Sequence, residues 1–364
     1  MILEKKVNRV LFLDFIRGVA ALMVVLSHSF ETFYPTITKY DGGDLDMGMA
    51  GVLAFFLVSG FVIPFSLERY KSIPIFFSNR IFRIYPLYIA VFVLSVLLYR
   101  LNISDNWSIL ENKIPQNILY HLFFIQDYLP KQKFGVFSLV GGAWTLAIEL
   151  VWYIIFACIY KLALNEKNEK ILLAANVFIL VISLTSLFLN LRIPPGRPIL
   201  LFCCFLGLYL YRYFNGVVMK KNFAIYTSIS LLNIYFALYV GFGHFMNPHF
   251  SLECVLKSYT LGFAIFLIFY LLKGKTNRFL NPIFEYFGQI SYSIYLAHGL
   301  ILRLVTHYLG IEPKNTLYVI IFSLILATIL YNFIEKPGVS LGKAFVAKYL
   351  KNNDNKTRFS STSA

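Results

Sequence analysis

The chain has 364 residues, of which 58% are hydrophobic and only 14% are charged, and its mean hydropathy is +0.68. A soluble globular domain has about half apolar and about a quarter charged residues, so this composition excludes that class and predicts a polytopic membrane protein. The cysteines lie in or beside apolar stretches without C-x-x-C spacing, and they predict neither a disulfide framework nor a metal site. They are Cys158, Cys203, Cys204 and Cys254.

Ten stretches of the chain are long and apolar enough to span a bilayer, which takes about 20 mostly apolar residues. They are residues 10–30, 49–68, 81–99, 143–163, 170–190, 198–214, 222–241, 253–272, 291–310 and 316–334. A further apolar stretch at 116–129 carries His121, Gln126 and Asp127, and we expect an interfacial or re-entrant helix there. The predicted fold class is therefore all-α, a polytopic transmembrane helical bundle with about ten spanning helices.

The placement of lysine and arginine predicts the topology of this bundle. When the N-terminus is put in the cytoplasm, most of the 33 basic residues fall in cytoplasmic loops, as the positive-inside rule requires. Both termini are then cytoplasmic, and the net charge of +15 is a topology signal that gives no reason to expect a nucleic-acid partner. The predicted domains are a cytoplasmic N-terminus (1–9), a membrane domain (10–337) and a basic cytoplasmic tail (338–364) that is partly disordered.

The first apolar stretch contains an arginine and a histidine, Arg17 and His28, with ten nearly all apolar residues between them. A helix places them roughly 16 Å apart on one face, because eleven residues make about three turns. Titratable side chains in hydrocarbon cost a few kcal/mol or more and mark candidate working sites. With the N-terminus inside, Arg17 lies in the inner half and His28 near the outer surface. Asp14 is within reach of an ion pair with Arg17. Taken singly, either residue is also explained by snorkelling or by an interfacial position.

Two arginines stand at the inner end of the third predicted span, at positions Arg80 and Arg83. At this spacing their guanidinium groups project from one helix face, and such planar forks bind phosphate oxygens bidentately. Anchoring by the positive-inside rule is an equally good explanation of the pair. The sequence therefore predicts a phosphate-binding face here without deciding between the two.

Glu149 lies within the apolar stretch 143–163, which enters from the outside, so its carboxylate is expected in the outer half near the depth of His28. A carboxylate there could orient or activate an imidazole, and a structural ion pair with an arginine is the alternative.

Ser59, next to Gly60, favours close helix packing. Tyr295 and His298 share a helix face with Ser291, and this polar stripe either lines a cavity or binds helices together.

These motifs occur in one order along the chain, with Trp144-Thr145-Leu146 preceding Glu149. Together they resemble the acyltransferase-3 family of integral membrane acyltransferases, and the resemblance runs from about Asn8 to about Pro337. Two departures are small: Phe15-Ile16 stand where Gly-Leu is frequent, and Thr145 replaces a common serine.

The resemblance implies a fold of about ten core helices in the bacterial cytoplasmic membrane. It implies acetyl transfer from cytoplasmic acetyl-CoA, the acyl donor, to sugar hydroxyls of surface polysaccharides, with no metal. Arg17 and His28 would be the essential pair of the first helix, and Arg80 and Arg83 would lie near the CoA phosphates. Some relatives add a periplasmic SGNH-type hydrolase domain, which we do not expect here. The membrane domain or a separate periplasmic partner would then complete the transfer, and a homo-oligomer is a further candidate assembly.

The sequence thus predicts an O-acyltransferase that uses acetyl-CoA and a glycan acceptor such as O-antigen, capsule or exopolysaccharide. A transporter or flippase of a glycolipid or small molecule would use the same buried charges, and the acceptor could also be peptidoglycan or a small molecule. His28 and Glu149 are the predicted catalytic residues, and Arg17, Arg80 and Arg83 the predicted donor-binding residues. Residues with a substrate-binding or structural role are Asp14, Ser59, Trp144, Tyr295 and His298.

Overall fold

The computed structural model describes residues 11–34, 45–103, 114–129, 138–164, 168–245, 250–272 and 281–361. Helices joined by turns make up this described part of the chain, and it contains no strand, so the predicted all-α fold is confirmed. The predicted cytoplasmic N-terminus, 1–9, lies outside the described residues.

Twelve α-helices are described, two of which continue into π-helical turns. They are α1 (Leu11–Phe33), α2 (Met47–Tyr70), α3 (Ile73–Arg100), α4 (Ile114–Leu122), α5 (Ala143–Leu164), α6 (Asn168–Phe188), α7 (Gly196–Phe214), α8 (Lys220–Leu238), α9 (Leu252–Leu271), α10 (Asn281–Leu309), α11 (Asn315–Leu330) and α12 (Lys336–Ser361). The π-helical turns are Tyr239–His244, after α8, and Tyr331–Glu335, between α11 and α12.

Nine helical segments within the described ranges are long and apolar enough to cross a bilayer, and the chain is accordingly a multi-pass membrane protein. The last of them, Asn315–Leu350, runs through α11, the π-helical turn and the first part of α12. The remaining predicted span, 291–310, overlaps the C-terminal part of α10, a helix of 29 residues that ends at Leu309, carries Glu285 and Arg303 and is not among the nine. The predicted helix at 116–129 is shorter, because α4 ends at Leu122 and turns follow.

The described chain forms two compact units, one comprising residues 1–62 and 159–295 and the other residues 63–158 and 296–364. In the first unit, small residues let helix backbones approach closely. A Cβ atom on Gly60 of α2 would lie 2.0 Å from the carbonyl oxygen of Cys204, and one on Gly207 of α7 would lie 2.2 Å from that of Leu57. Glycine on both helices is therefore required for this contact, which agrees with the packing role predicted beside Ser59.

An aromatic cluster fills the same unit around Phe12, which is buried near the start of α1. Its ring centroid lies 5.8 Å from that of Phe61, 6.4 Å from that of Phe266 and 5.9 Å from that of Tyr270. These edge-to-face contacts join α1 to α2 and α9. They fix the helix that carries Arg17 and His28 within its unit.

The second unit joins α3 to α12. Gly338 and Gly342 lie one turn apart on α12, and Cβ atoms there would come within 2.9 Å and 2.7 Å of the backbone oxygen and Cβ of Phe82. The ring of Phe345 packs on the Phe82 ring at 5.8 Å. α12 extends to Ser361, and Gly338, Gly342 and Val346 form a buried face with a spacing of four residues at its start. The partly disordered basic tail predicted for 338–364 stays a prediction.

Candidate active site

His28 lies on the last two turns of α1 with its side chain 47% exposed, so a substrate can reach the imidazole. Its Nδ1 atom lies 3.1 Å from a carboxylate oxygen, Oε2, of Glu31. The two residues are three apart on one helix, a spacing at which side chains are neighbours on the helix surface. Arg17, on the same continuous helix, is half-buried.

A hydroxyl and a second carboxylate extend this pair. Ser27 Oγ lies 2.9 Å from Asp46 Oδ1 and 3.3 Å from Glu31 Oε1. The same Asp46 oxygen accepts a 2.9 Å hydrogen bond from the backbone N–H of Met49, which caps the start of α2. Glu31 and Asp46 were not predicted from the sequence. The spacing from His28 to Glu31 and the acidic residue just before a helix start were the signals that could have found them.

The inner part of α1 packs against α10, where two of the predicted motifs meet. A Cβ atom on Gly288 would lie 2.5 Å from the backbone oxygen of Asp14, and one on Gly18 would lie 2.9 Å from Phe287 Cβ. Asp14 is buried here, with 6% of its surface exposed. The helix turn that carries Arg17 is therefore held directly against α10.

The other polar residues of α10 are placed differently. The Tyr295 ring packs edge-to-face on Phe55 of α2 at 5.7 Å, and Ser291 Oγ donates a 2.8 Å hydrogen bond to the Gly288 carbonyl of its own helix. These two side chains therefore have structural contacts. His298 is buried and belongs to the second unit.

Arg80 is buried in the second unit between two aromatic rings. Its guanidinium carbon lies 5.5 Å from the centroid of the Phe76 ring and 5.5 Å from that of the Tyr153 ring. Cation–π contacts of this kind hold a guanidinium in a low-dielectric environment. The Nε atom of Arg80 is buried, and no hydrogen-bond partner for it is found in the described ranges. Arg83, one turn further along α3, is half-buried.

Tyr153 connects Arg80 to Glu149, because its hydroxyl donates a hydrogen bond to Glu149 Oε1. The two residues are one helical turn apart on α5. Tyr153 is 2% exposed, which makes it a buried member of the site that sequence reasoning missed, although the spacing of four residues could have indicated it. Trp144 is half-buried at the start of the same helix.

The predicted site residues thus fall into two groups. Arg17 and His28 belong to the first unit, with Asp14, Ser59 and Tyr295, whereas Arg80, Arg83 and Glu149 belong to the second, with Trp144 and His298. The contact described for His28 is to Glu31 and that for Glu149 is to Tyr153. The pairing of Glu149 with His28 stays a prediction.

The model of the acyltransferase-3 family, described as an acyltransferase domain, matches residues 10–332. The chain belongs to the acyltransferase-3 family. The match includes the helices that carry Arg17, His28, Arg80 and Glu149. The predicted family is confirmed, and so is the predicted enzyme class, an O-acyltransferase.

Several acyltransferases are similar to this member of the family. Acyltransferase MdmB of Streptomyces mycarofaciens is 24% identical over 286 residues, which cover 71% of this chain and 69% of that protein. The peptidoglycan O-acetyltransferase OatA of Listeria monocytogenes is 25% identical over 80% of this chain. The putative O-acetyltransferase SACOL0978 of Staphylococcus aureus is 24% identical over 92% of it.

The chain spans only 51% of OatA and 58% of SACOL0978. No solved structure was found to match the chain. Among the described residues, no group of three or more histidine, cysteine, aspartate or glutamate side chains is arranged to hold a metal ion.

Proposed function

We propose that this acyltransferase transfers an acetyl group from cytoplasmic acetyl-CoA to a hydroxyl of a glycan of the bacterial cell envelope, and that it resides in the cytoplasmic membrane. The observation that carries the proposal is the family match over residues 10–332, which includes a helix with a reachable histidine and a helix with a buried arginine. Donor, acceptor and site residues are parts of this proposal.

The donor side of the proposed reaction needs cations, because acetyl-CoA carries several phosphate charges. We propose that Arg17, Arg80 and Arg83 supply them, and the positive-inside rule supports a position toward the cytoplasm for all three. The rings of Phe76 and Tyr153 fix the guanidinium of Arg80, so less side-chain entropy is lost when it binds a phosphate. Arg83 is half-buried and is the more accessible of the α3 pair.

His28 is the proposed group at the reacting atoms, and two routes are open to it. As a general base, its Nε2 takes the proton of the acceptor hydroxyl while the hydroxyl oxygen attacks the thioester carbonyl. The carbon–sulfur bond then breaks, and the proton passes to the departing CoA thiolate. As a nucleophile, Nε2 first attacks the thioester carbonyl, the carbon–sulfur bond breaks and CoA departs as the thiolate. The acceptor hydroxyl oxygen then attacks the acetyl carbonyl, the bond from Nε2 to that carbon breaks, and the hydroxyl proton passes to the CoA thiolate. Both routes use Nε2 of the same imidazole.

The acceptor has a second candidate, peptidoglycan. The similarity to OatA, named a peptidoglycan O-acetyltransferase, favours it, at 25% identity over 327 residues. A transporter or flippase is disfavoured by membership of an acyltransferase family.

The test is an acetyl-transfer assay with the purified full chain in lipid nanodiscs, labelled acetyl-CoA and isolated envelope fractions. We expect CoA release to depend on an acceptor fraction, and NMR of that fraction to show a new O-acetyl ester. Label on a surface polysaccharide supports the first acceptor and label on peptidoglycan the second. Transport of the acceptor without CoA release would contradict the enzyme proposal.

A further inference from the structure

The His28 imidazole contacts the carboxylate of Glu31, and the hydroxyl of Ser27 joins that carboxylate to a second one, Asp46. Glu31 Oε2 lies 3.1 Å from His28 Nδ1, and Glu31 Oε1 lies 3.3 Å from Ser27 Oγ. The same Ser27 oxygen lies 2.9 Å from Asp46 Oδ1. A serine hydroxyl has one hydrogen to donate, so Ser27 shares it between the two carboxylates and holds them on one side of the histidine.

Asp46 is itself fixed from two further helices. Its Oδ1 accepts from the backbone N–H of Met49 on α2, and its own backbone N–H donates a 2.8 Å hydrogen bond to Ser258 Oγ on α9. Ser258 is fully buried and donates in turn to the Cys254 carbonyl at 2.7 Å. The carboxylate of Asp46 is therefore a rigid anchor point within its unit.

The helices α1 and α2 approach each other closely at Gly48. A Cβ atom there would lie 3.1 Å from both the Cβ and the Oγ of Ser27. Ser27, whose hydroxyl joins Glu31 to Asp46, is 6% exposed, whereas the Glu31 side chain is 48% exposed. An isolated exposed pair at this spacing would be mobile. Glu31 is held because its second oxygen reaches the buried hydroxyl.

We propose that Glu31 is the positioning residue of His28, with Ser27 and Asp46 holding its carboxylate; this inference rests on the proposed acetyl transfer. The carboxylate accepts the Nδ1–H of the neutral imidazole, and this selects the tautomer whose lone pair is on Nε2. Nε2 is the nitrogen that faces away from the contact with Glu31 and meets the acceptor hydroxyl or the thioester.

The role of Glu31 is the same in both routes open to His28. If Nε2 takes the hydroxyl proton, the ring becomes an imidazolium; if Nε2 attacks the thioester, it becomes an acetylimidazolium. In either case the ring keeps its Nδ1–H and gains one positive charge beside Glu31. A carboxylate that orients an imidazole and balances this charge is a known arrangement in acyl transfer. Loss of the negative charge of Glu31 should therefore slow the chemical step and have a smaller effect on the affinity for the acyl donor.

The test compares Glu31→Gln, Glu31→Asp and a control, Glu253→Gln, in the full chain in nanodiscs. Glu253 is also an exposed carboxylate in the first unit, and it pairs with Lys257 on its own helix at 2.6 Å. We expect Glu31→Gln to lower kcat about 100-fold with KM for acetyl-CoA within about twofold. Glu31→Asp should recover about a tenth or more of the activity, and Glu253→Gln should match the parent chain.

A second readout does not depend on transfer. It uses ¹⁵N spectra of histidine-labelled protein at a pH where the ring is neutral, in which the His28 signal is the one that is lost in His28→Gln. We expect this signal to show protonation at Nδ1 in the parent chain. Glu31→Gln should change the tautomer that the signal reports. Equal kcat in Glu31→Gln and Glu253→Gln, or protonation at Nε2 in the parent chain, would overturn the positioning role. Failure of the parent chain to acetylate any acceptor would instead overturn the proposed function, while the tautomer measurement would still decide the role of Glu31.

Discussion

Tyr153 donates a hydrogen bond to the carboxylate of Glu149 one turn earlier on α5. The ring of the same tyrosine lies 5.5 Å from the guanidinium carbon of Arg80. One side chain thus holds a half-buried carboxylate with its hydroxyl and a buried cation with its ring. This relationship links two residues that the sequence analysis had placed at opposite ends of the proposed reaction.

Tyr153→Phe should separate the two contacts, because it removes the hydroxyl and keeps the ring. We expect the free energy of unfolding to fall by about 1–3 kcal/mol, since the hydrogen bond is made to a carboxylate. Thermal unfolding in detergent measures this. Tyr153→Leu should cost more, because the ring is lost as well. Tyr160→Phe, further along α5, is the control, and an equal loss in that variant would show that the contact to Glu149 contributes nothing specific.

His28→Ala should abolish acetyl transfer while folded protein still reaches the membrane. A group that moves a proton or carries the acetyl group at the reacting atoms contributes about 10²- to 10⁴-fold, so we expect kcat to fall by about three orders of magnitude. The assay is release of CoA from acetyl-CoA with a saturating acceptor. His307→Ala, at the exposed end of α10, is the matched control. Normal transfer by His28→Ala would exclude His28 from the chemistry.

Arg83→Ala should weaken acetyl-CoA binding and leave the affinity for the acceptor nearly unchanged. We expect KM for acetyl-CoA to rise about tenfold or more, because a charge-assisted hydrogen bond contributes about 1.5–3 kcal/mol. Arg83→Lys should be intermediate, since it keeps the charge and loses the planar fork.

Arg100→Ala is the control for that series, because Arg100 is on the same helix at its opposite end. Direct binding of acetyl-CoA, measured by isothermal titration with the protein in nanodiscs, separates binding from turnover. An unchanged dissociation constant in Arg83→Ala would contradict the phosphate assignment.

The helices could be predicted from sequence because hydropathy and length constrain a membrane protein strongly. His28 was predicted for a similar reason, since a titratable group in an apolar run is conspicuous, and Arg80 was predicted from its spacing to Arg83. The partners of these residues were missed. Glu31 and Tyr153 are ordinary residues at a spacing of three or four, and only the folded helix shows that their side chains meet.

Contacts between distant parts of the chain were harder still to predict. Asp46 reaches Ser27 on α1 and Ser258 on α9, and no local pattern relates these three positions. The shortness of α4 was also missed, because an apolar stretch does not show where its backbone leaves the helix. Phe124, just after α4, has a positive φ of 55°, a conformation that sequence patterns rarely reveal for a bulky residue.

Gly60→Ala should destabilise the first unit without touching the proposed chemistry. The added Cβ would lie 2.0 Å from the Cys204 carbonyl oxygen, a backbone atom, so α2 and α7 would have to separate. We expect a loss of about 1–3 kcal/mol, read as a lower unfolding temperature in detergent. Gly299→Ala is the control, because a Cβ there meets nothing within 4 Å, and alanine should stabilise that helix slightly. Equal unfolding temperatures of Gly60→Ala and Gly299→Ala would contradict the close contact of α2 with α7.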